Sequence, residues 1–258
     1  MLDRFSMLDR LFTKTREKLY EYDSVRTLRD YARPFEHFLL GKREIHFVAE
    51  AINRARGRLN PVRVVLDVGA ACGEKTLAFL RYFPDAIVHC FEPQSDSRRR
   101  LIRRTRYWKD RVVMHDYGLF NENAVVDLRL YSYHDASSIL PIAEPIRKDG
   151  RVEVGKESIN VRRLDDCLRQ LSVAKIDLMK VDVEGVEREV LEGAAQALSI
   201  TENLFVEILS YLRKGPRSGD HIEVFRLLHE NGFTLVGQFG DYWFSKDPSV
   251  IRMFFGQD

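Results

Sequence analysis

From Pro61 onward the chain alternates short β-branched runs with helix-length amphipathic stretches, and this alternation constrains the fold more than any other feature. Val62–Val68 (VRVVLDV) reads as a buried strand, and a helix over Glu74–Phe83 follows at once, stopped by Pro84. Ala86–Phe91 (AIVHCF) and Val112–His115 predict two more strands, with a helix over Asp96–Trp108 between them. An irregular insert, residues 124–163, contains the alternating stretches AVVDLRLY and SINVRRL. The pattern then resumes with strand Ile176–Val183, helix Val186–Leu198, strand Leu204–Leu209 and helix Asp220–Asn231. Short β segments at Phe233–Val236, Tyr242–Phe244 and Ile251–Phe255 close the chain, the last pair read as a hairpin. Parallel neighbours need a long crossover, usually a helix. The order therefore predicts a doubly wound, Rossmann-like α/β sheet of about seven strands with an antiparallel edge.

Residues 1–60 differ in character, carrying 13 basic and 9 acidic residues, net +4, against −2 for residues 61–258. Apolar positions at Leu2, Phe5, Leu8, Leu11 and Phe12, and again at Phe47, Val48, Ala51 and Ile52, predict a helical N-terminal extension. Such helices offer a route to a homo-oligomer. A chain of 258 residues that is 45% hydrophobic can bury a full core, so residues 61–258 suffice for one domain. Net charge is 41 − 39 = +2, which gives no global argument for nucleic acid. Cys72, Cys90 and Cys167 are odd in number and far apart, which excludes a disulfide framework or a CxxC zinc site. No apolar run reaches the ~18 residues of a bilayer span, and the charged N-terminus lacks a signal-peptide core. These features predict a soluble, cytoplasmic protein.

Two motifs carry the chemistry. LDVGAACGEKT (Leu66–Thr76) runs a strand into a turn with Gly69 and Gly73 and then opens a helix. Glycines there let backbone approach a ligand closely, at the crossover where doubly wound sheets bind nucleotides. CFEP (Cys90–Pro93) places Glu92 at the end of the second strand, 19 residues beyond Gly73. An acidic residue at about that distance accepts hydrogen bonds from ribose hydroxyls. Together they indicate an adenosine-containing cofactor. The spacing is GxxxG rather than GxGxxG, which weighs against a NAD-dependent oxidoreductase; such an enzyme would also need a hydride-transfer partner such as a Tyr-Lys pair or a catalytic His. A non-catalytic adaptor on a degenerate fold is the other alternative.

In order along the chain, DVGAACGEKT, FEP, DASSIL, VRRLDDCL and KVDVEGVEREVLEGA resemble the FkbM-type methyltransferases, which use S-adenosylmethionine (SAM). The resemblance covers about Val64 to Gly232. Cys72 with Glu74-Lys75 departs from it, since such proteins more often carry Asn and smaller residues there. It implies a class I methyltransferase sheet and O-methylation of a sugar, glycan, natural product or other small molecule. Candidate cofactor contacts are Asp67, Gly69, Ala70, Gly73, Thr76, Glu92, Pro93, Asp116, Tyr117, Gly118, Ser137, Ser138 and Asp182.

Asp182 lies at the carboxyl end of a central strand, where doubly wound folds bind ligands. Asp182 or Glu184 is the first candidate to orient or deprotonate an acceptor hydroxyl, with Glu207 third. Glu187 and Glu189 read as helix N-terminal carboxylates, and Asp165-Asp166 as helix caps. No metal-ligand spacing is present, although Asp182 with Glu207 leaves room for magnesium. From Asp96 to Arg111 eight basic and two acidic residues give a local net charge of +6. That is a solvated face or a site for an anionic partner; without an RNA-binding module, nucleic acid is disfavoured.

Overall fold

A computed structural model describes residues 44–57, 59–132, 137–141, 152–208 and 220–256. The helices expected before residue 44, and with them the oligomer expectation, lie outside the described residues. Helix α1 (Glu44–Arg56) buries Ile45, Val48 and Ile52, the apolar spacing of a helix with one covered face. The main sheet is built from β1 (Val64–Val68), β2 (Ile87–Phe91), β3 (Val112–His115), β7 (Leu178–Val181), β8 (Asn203–Val206), β9 (Thr234–Phe239) and β10 (Asp241–Ser245). Its order is β3-β2-β1-β7-β8-β10-β9; the first five strands run parallel, and β10 is antiparallel to both neighbours. The expected doubly wound sheet of seven strands with an antiparallel edge is present, but the edge hairpin joins β9 to β10 rather than residues 242–244 to 251–255. Every residue of β7 and β8 is buried, as central parallel strands covered on both faces require.

One face carries α4 (Leu164–Leu171), α5 (Glu187–Glu192), α6 (Ala195–Ser199) and α7 (Asp220–Glu230), packed on Leu66, Phe91, Met179 and Val206. The other carries α1, α2 (Glu74–Tyr82) and α8 (Pro248–Phe255), together with Leu101 of α3 (Ser95–Thr105), against Val65, Val88, Phe205 and Trp243. A buried ion cluster ties this second layer down. Arg56, at the end of α1, pairs with Asp177 before β7 at 2.8 Å, with Glu202 before β8 and with Asp247 before α8.

Three local expectations are corrected. Residues 251–255, read as a strand, belong to α8: Asp247 accepts a hydrogen bond from the Ser249 amide at 2.9 Å and Pro248 occupies the first turn. Those are helix-start chemistry that outweighs a short β-branched and aromatic run. The helix expected over Asp96–Trp108 ends at Thr105 and continues as a 3₁₀ segment, Arg106–Arg111, inside which Trp108 leaves helical dihedrals. The helix expected over Val186–Leu198 is two helices; Asp165 accepts from the Gln196 and Ala197 amides and so caps α6 rather than its own helix. The insert contributes β5 (Ala124–Tyr131) and β6 (Glu153–Arg162) to a second sheet, completed by β4 (Gly118–Leu119) just before it, with a small core of Leu128, Ile159 and Val161.

Candidate functional site

The carboxyl ends of β1, β2, β7 and β8 meet at one edge of the sheet, around a cavity of about 320 Å³, within the usual range for small-molecule sites. The turn after β1 forms its floor. Gly69 has φ +73°, and a Cβ there would lie 1.9 Å from the Asp182 carbonyl oxygen, so no other residue fits without moving the backbone. The amides of Gly69 and Ala70 both donate to the Phe91 carbonyl at 3.1 Å, fastening the turn to the end of β2. Asp67 is fully buried and accepts from the Thr76 hydroxyl at 2.6 Å. Asp67, Gly73 and Thr76 shape the turn from behind and do not line the cavity, whereas Gly69, Ala70, Ala71 and Cys72 do.

Glu92 follows β2 and faces the cavity, 6% exposed. Its two carboxylate oxygens accept from the Ala71 amide at 2.7 Å and the Gln94 amide at 2.8 Å. Burial pushes its pKa up to about 7, against the pull of these amides and of Lys180 and Arg98. Pro93, Gly118 and Ser137 also line the cavity. Asp116 is exposed, and Tyr117 packs beneath Arg162, 4.5 Å from guanidinium to ring; neither lines the cavity. Ser138 donates to the Glu184 carbonyl at 2.6 Å, so it braces the turn after β7.

Asp182 and Glu207 end β7 and β8 on the same edge. Two ammonium groups reach Asp182: Lys75 from the first turn of α2 at 2.7 Å and Lys180 at 3.2 Å. Burial disfavours the charged Asp182, yet the two lysines outweigh it and hold the carboxyl well below the usual carboxylate range. Lys180 is 2% exposed and also donates to the Gly69 carbonyl at 2.7 Å, so one buried cation joins the glycine turn to Asp182. Glu207 goes the opposite way: burial and the neighbouring Asp182 push it up to about 11. Its Oε2 is buried and has no hydrogen-bond partner. A proton on Glu207 supplies a hydrogen bond between the two carboxyls, so at neutral pH the pair holds one proton and one charge. Asp241, opening β10, lies 3.5 Å from Lys75 and is pushed up by burial.

Glu187 accepts from the Gly185 and Val183 amides at the start of α5 and is pushed up to about 7 by burial; it serves the turn, as its place at a helix start implied. Glu184 has φ +60° and lines the cavity. Ligand oxygens of Asp182, Glu184 and Glu207 all approach within 4.8 Å, a set that could hold a divalent cation. Lys75 and Lys180 occupy the same Asp182 oxygen, so a cation would compete with both. Sequence reasoning missed Lys75, Lys180 and Asp241. Lys180 had a signal, a lone cation inside the apolar run IDLMKV; the other two had none.

Against known proteins, the methyltransferase FkbM domain matches residues 67–235. The 2-O-methyltransferase NoeI of Sinorhizobium fredii is 27% identical over 160 residues, which cover 57% of this chain and 63% of that one, so the chain spans less than two thirds of that relative. Methyltransferase 1 of Beauveria bassiana is 26% identical over 209 residues, covering 74% of this chain and 78% of that one. Among solved structures, methyltransferase FkbM from Methylobacillus flagellatus KT superposes with a TM-score of 0.49 at 18% identity, covering 71% of this chain and 43% of that one.

Proposed function

The chain belongs to the methyltransferase FkbM domain family, and from that premise we propose that it transfers a methyl group from SAM to a hydroxyl of a small molecule, sugar, glycan or natural product. NoeI, named as a 2-O-methyltransferase, supports an oxygen acceptor. The observation that carries the reading is the single cavity onto which Glu92, the glycine turn and the Asp182–Glu207 pair all open. The residues present fit the cofactor. Glu92 is a carboxylate at the strand end where a ribose diol needs acceptors, and the glycine turn and Asp182 line the same cavity. When bound, SAM supplies an electrophilic methyl on a positively charged sulfur.

In this reading Glu92 binds the ribose, and the turn from Gly69 to Cys72 presents backbone close to the cofactor. Asp182 orients the acceptor hydroxyl and takes its proton. Lys75 and Lys180 make Asp182 a weak base. That suffices, because a hydroxyl becomes strongly acidic as its oxygen gains a third bond. Glu207, already protonated, leaves the pair with a single negative charge beside the acceptor. Orientation in a closed site contributes about 7–11 kcal/mol to such reactions and a positioned base about 10²–10⁴-fold. Among the described residues no helix is long and apolar enough to cross a membrane. The three cysteines are buried and not joined in disulfides, which supports a cytoplasmic setting. Calorimetry with SAM, S-adenosylhomocysteine and NAD tests the proposal. Binding of the first two without NAD is expected, and NAD binding without SAM would overturn it.

A further inference from the structure

The basic stretch after β2 is divided by the structure into an inward and an outward set. Arg98 donates to the Glu92 and Pro93 carbonyls, Arg104 to the Cys72 carbonyl, and Arg111 to the carbonyls of Leu80, Phe83 and Pro84 that end α2. Arg99 and Arg100 pair with Asp96. Arg103, Arg106 and Lys109 are exposed, and none has a carboxylate within ion-pair distance among the described residues. Two apolar side chains stand among them in water, Ile102 at 49% and Tyr107 at 76% exposure.

We propose that this face, Arg103, Arg106 and Lys109 around Ile102 and Tyr107, docks on the surface of an anionic phospholipid bilayer. Cations flanking apolar tips are the pattern that lies in a headgroup layer, charge at the phosphates and apolar groups just beneath. The face is a helix and the 3₁₀ segment that continues it, and none of its five side chains lines either of the two described cavities. RNA would need open aromatic faces to stack on. Trp108 is packed against the core, and Arg106 lies over one face of the Tyr107 ring, 4.3 Å from guanidinium to ring, which leaves at most one open ring face for a base. Leu101 of α3 lies against Gly73, and Arg104 holds the carbonyl of cavity-lining Cys72, so the docked face flanks the cavity.

The test is cosedimentation of the full chain with vesicles of phosphatidylcholine alone and with about one third phosphatidylserine added. Binding is expected to the anionic vesicles only, weakening as salt shortens the screening length. Each basic residue near such a surface is worth about fivefold. Arg103→Glu, Arg106→Glu and Lys109→Glu together should weaken binding by at least about 100-fold. Ile102→Ser with Tyr107→Ser keeps all the charge and should also weaken it severalfold. Far-UV circular dichroism and SAM affinity check that both variants remain folded. Absence of binding to anionic vesicles overturns the proposal, as does a folded triple variant that binds like wild type. So does binding to single-stranded RNA that the same charge reversals abolish while vesicle binding stays.

Discussion

The pH dependence of cofactor binding follows from the position of Glu92. Its pKa is about 7, raised from 4.5 chiefly by burial, and the proposed ribose contact uses the ionised carboxylate. Binding should therefore tighten as pH rises through 7. About 3% of the protein carries ionised Glu92 at pH 5.5 and about 90% at pH 8, so the apparent affinity should rise roughly 30-fold across that interval. Glu92→Gln keeps the shape but loses the charge, and one of the two amides held at 2.7 and 2.8 Å faces an amide nitrogen instead of an oxygen. Loss of hydrogen bonds to a charged group costs about 1.5–3 kcal/mol, or about 10- to 150-fold at pH 8. The variant should lose the pH dependence that belongs to Glu92, while any titration of SAM itself is common to both proteins.

The stability of the ligand-free protein runs the opposite way. A carboxyl whose folded pKa is raised favours the fold below its unfolded value, and that advantage is lost as pH climbs to 7. Charging the buried group costs up to about 3 kcal/mol at pH 8, so Glu92→Gln should flatten the decline in melting temperature between about pH 4.5 and 7. Glu187 shifts in the same direction but remains in both proteins and does not line the cavity. Calorimetric titration of SAM and S-adenosylhomocysteine from pH 5.5 to 8, beside thermal melts without ligand, reads both effects. Wild-type affinity flat across that range, or a folded variant binding within twofold of wild type at pH 8, would refute the reasoning.

Asp182→Asn should lower methyl transfer by at least about 100-fold with a much smaller change in SAM affinity, whereas Glu207→Gln, replacing a group already protonated, should keep most activity; an assay over a panel of sugars and other alcohols separates the two, and equal activity in both would remove the pair from the chemistry. Arg56→Met leaves Asp247 buried without its cation and Asp177 with only Lys175, at 3.1 Å, a loss of about 3–5 kcal/mol that should lower the melting temperature by roughly 6–10 °C for a chain of this size. Asp177 is held below its usual pKa by amides and Arg56 despite burial, so its contribution is present above about pH 4 and fades below. The gap between wild type and Arg56→Met should narrow in acid, and a gap unchanged at pH 3 would contradict the role given to this cluster.

Short-range chemistry made much of this protein legible before any coordinates. Strand-length runs separated by helix-length ones imply crossovers, and crossovers imply parallel strands. Gly69 could be singled out because a tight turn between strand and helix needs a positive φ, and Glu92 because strand length places it at the sheet edge. The start of α8 was also legible in Asp247-Pro248, although the apolar run after it was read as a strand. What no local pattern contained was the pairing of charges. Lys75 meets Asp182 across 107 positions, and Arg56 meets Asp247 across 191. Asp241 reaches the same lysine only because β10 runs back between β8 and β9. Those contacts decide the chemistry, for Asp182 and Glu207 are both ordinary carboxyls in sequence. One is pulled far down by two lysines and the other pushed up to about 11 by burial and its neighbour. Secondary structure follows from neighbours a few residues apart, which sequence order specifies directly. The charge state of a side chain follows from the field of groups within a few ångströms, and only the folded chain decides which groups those are.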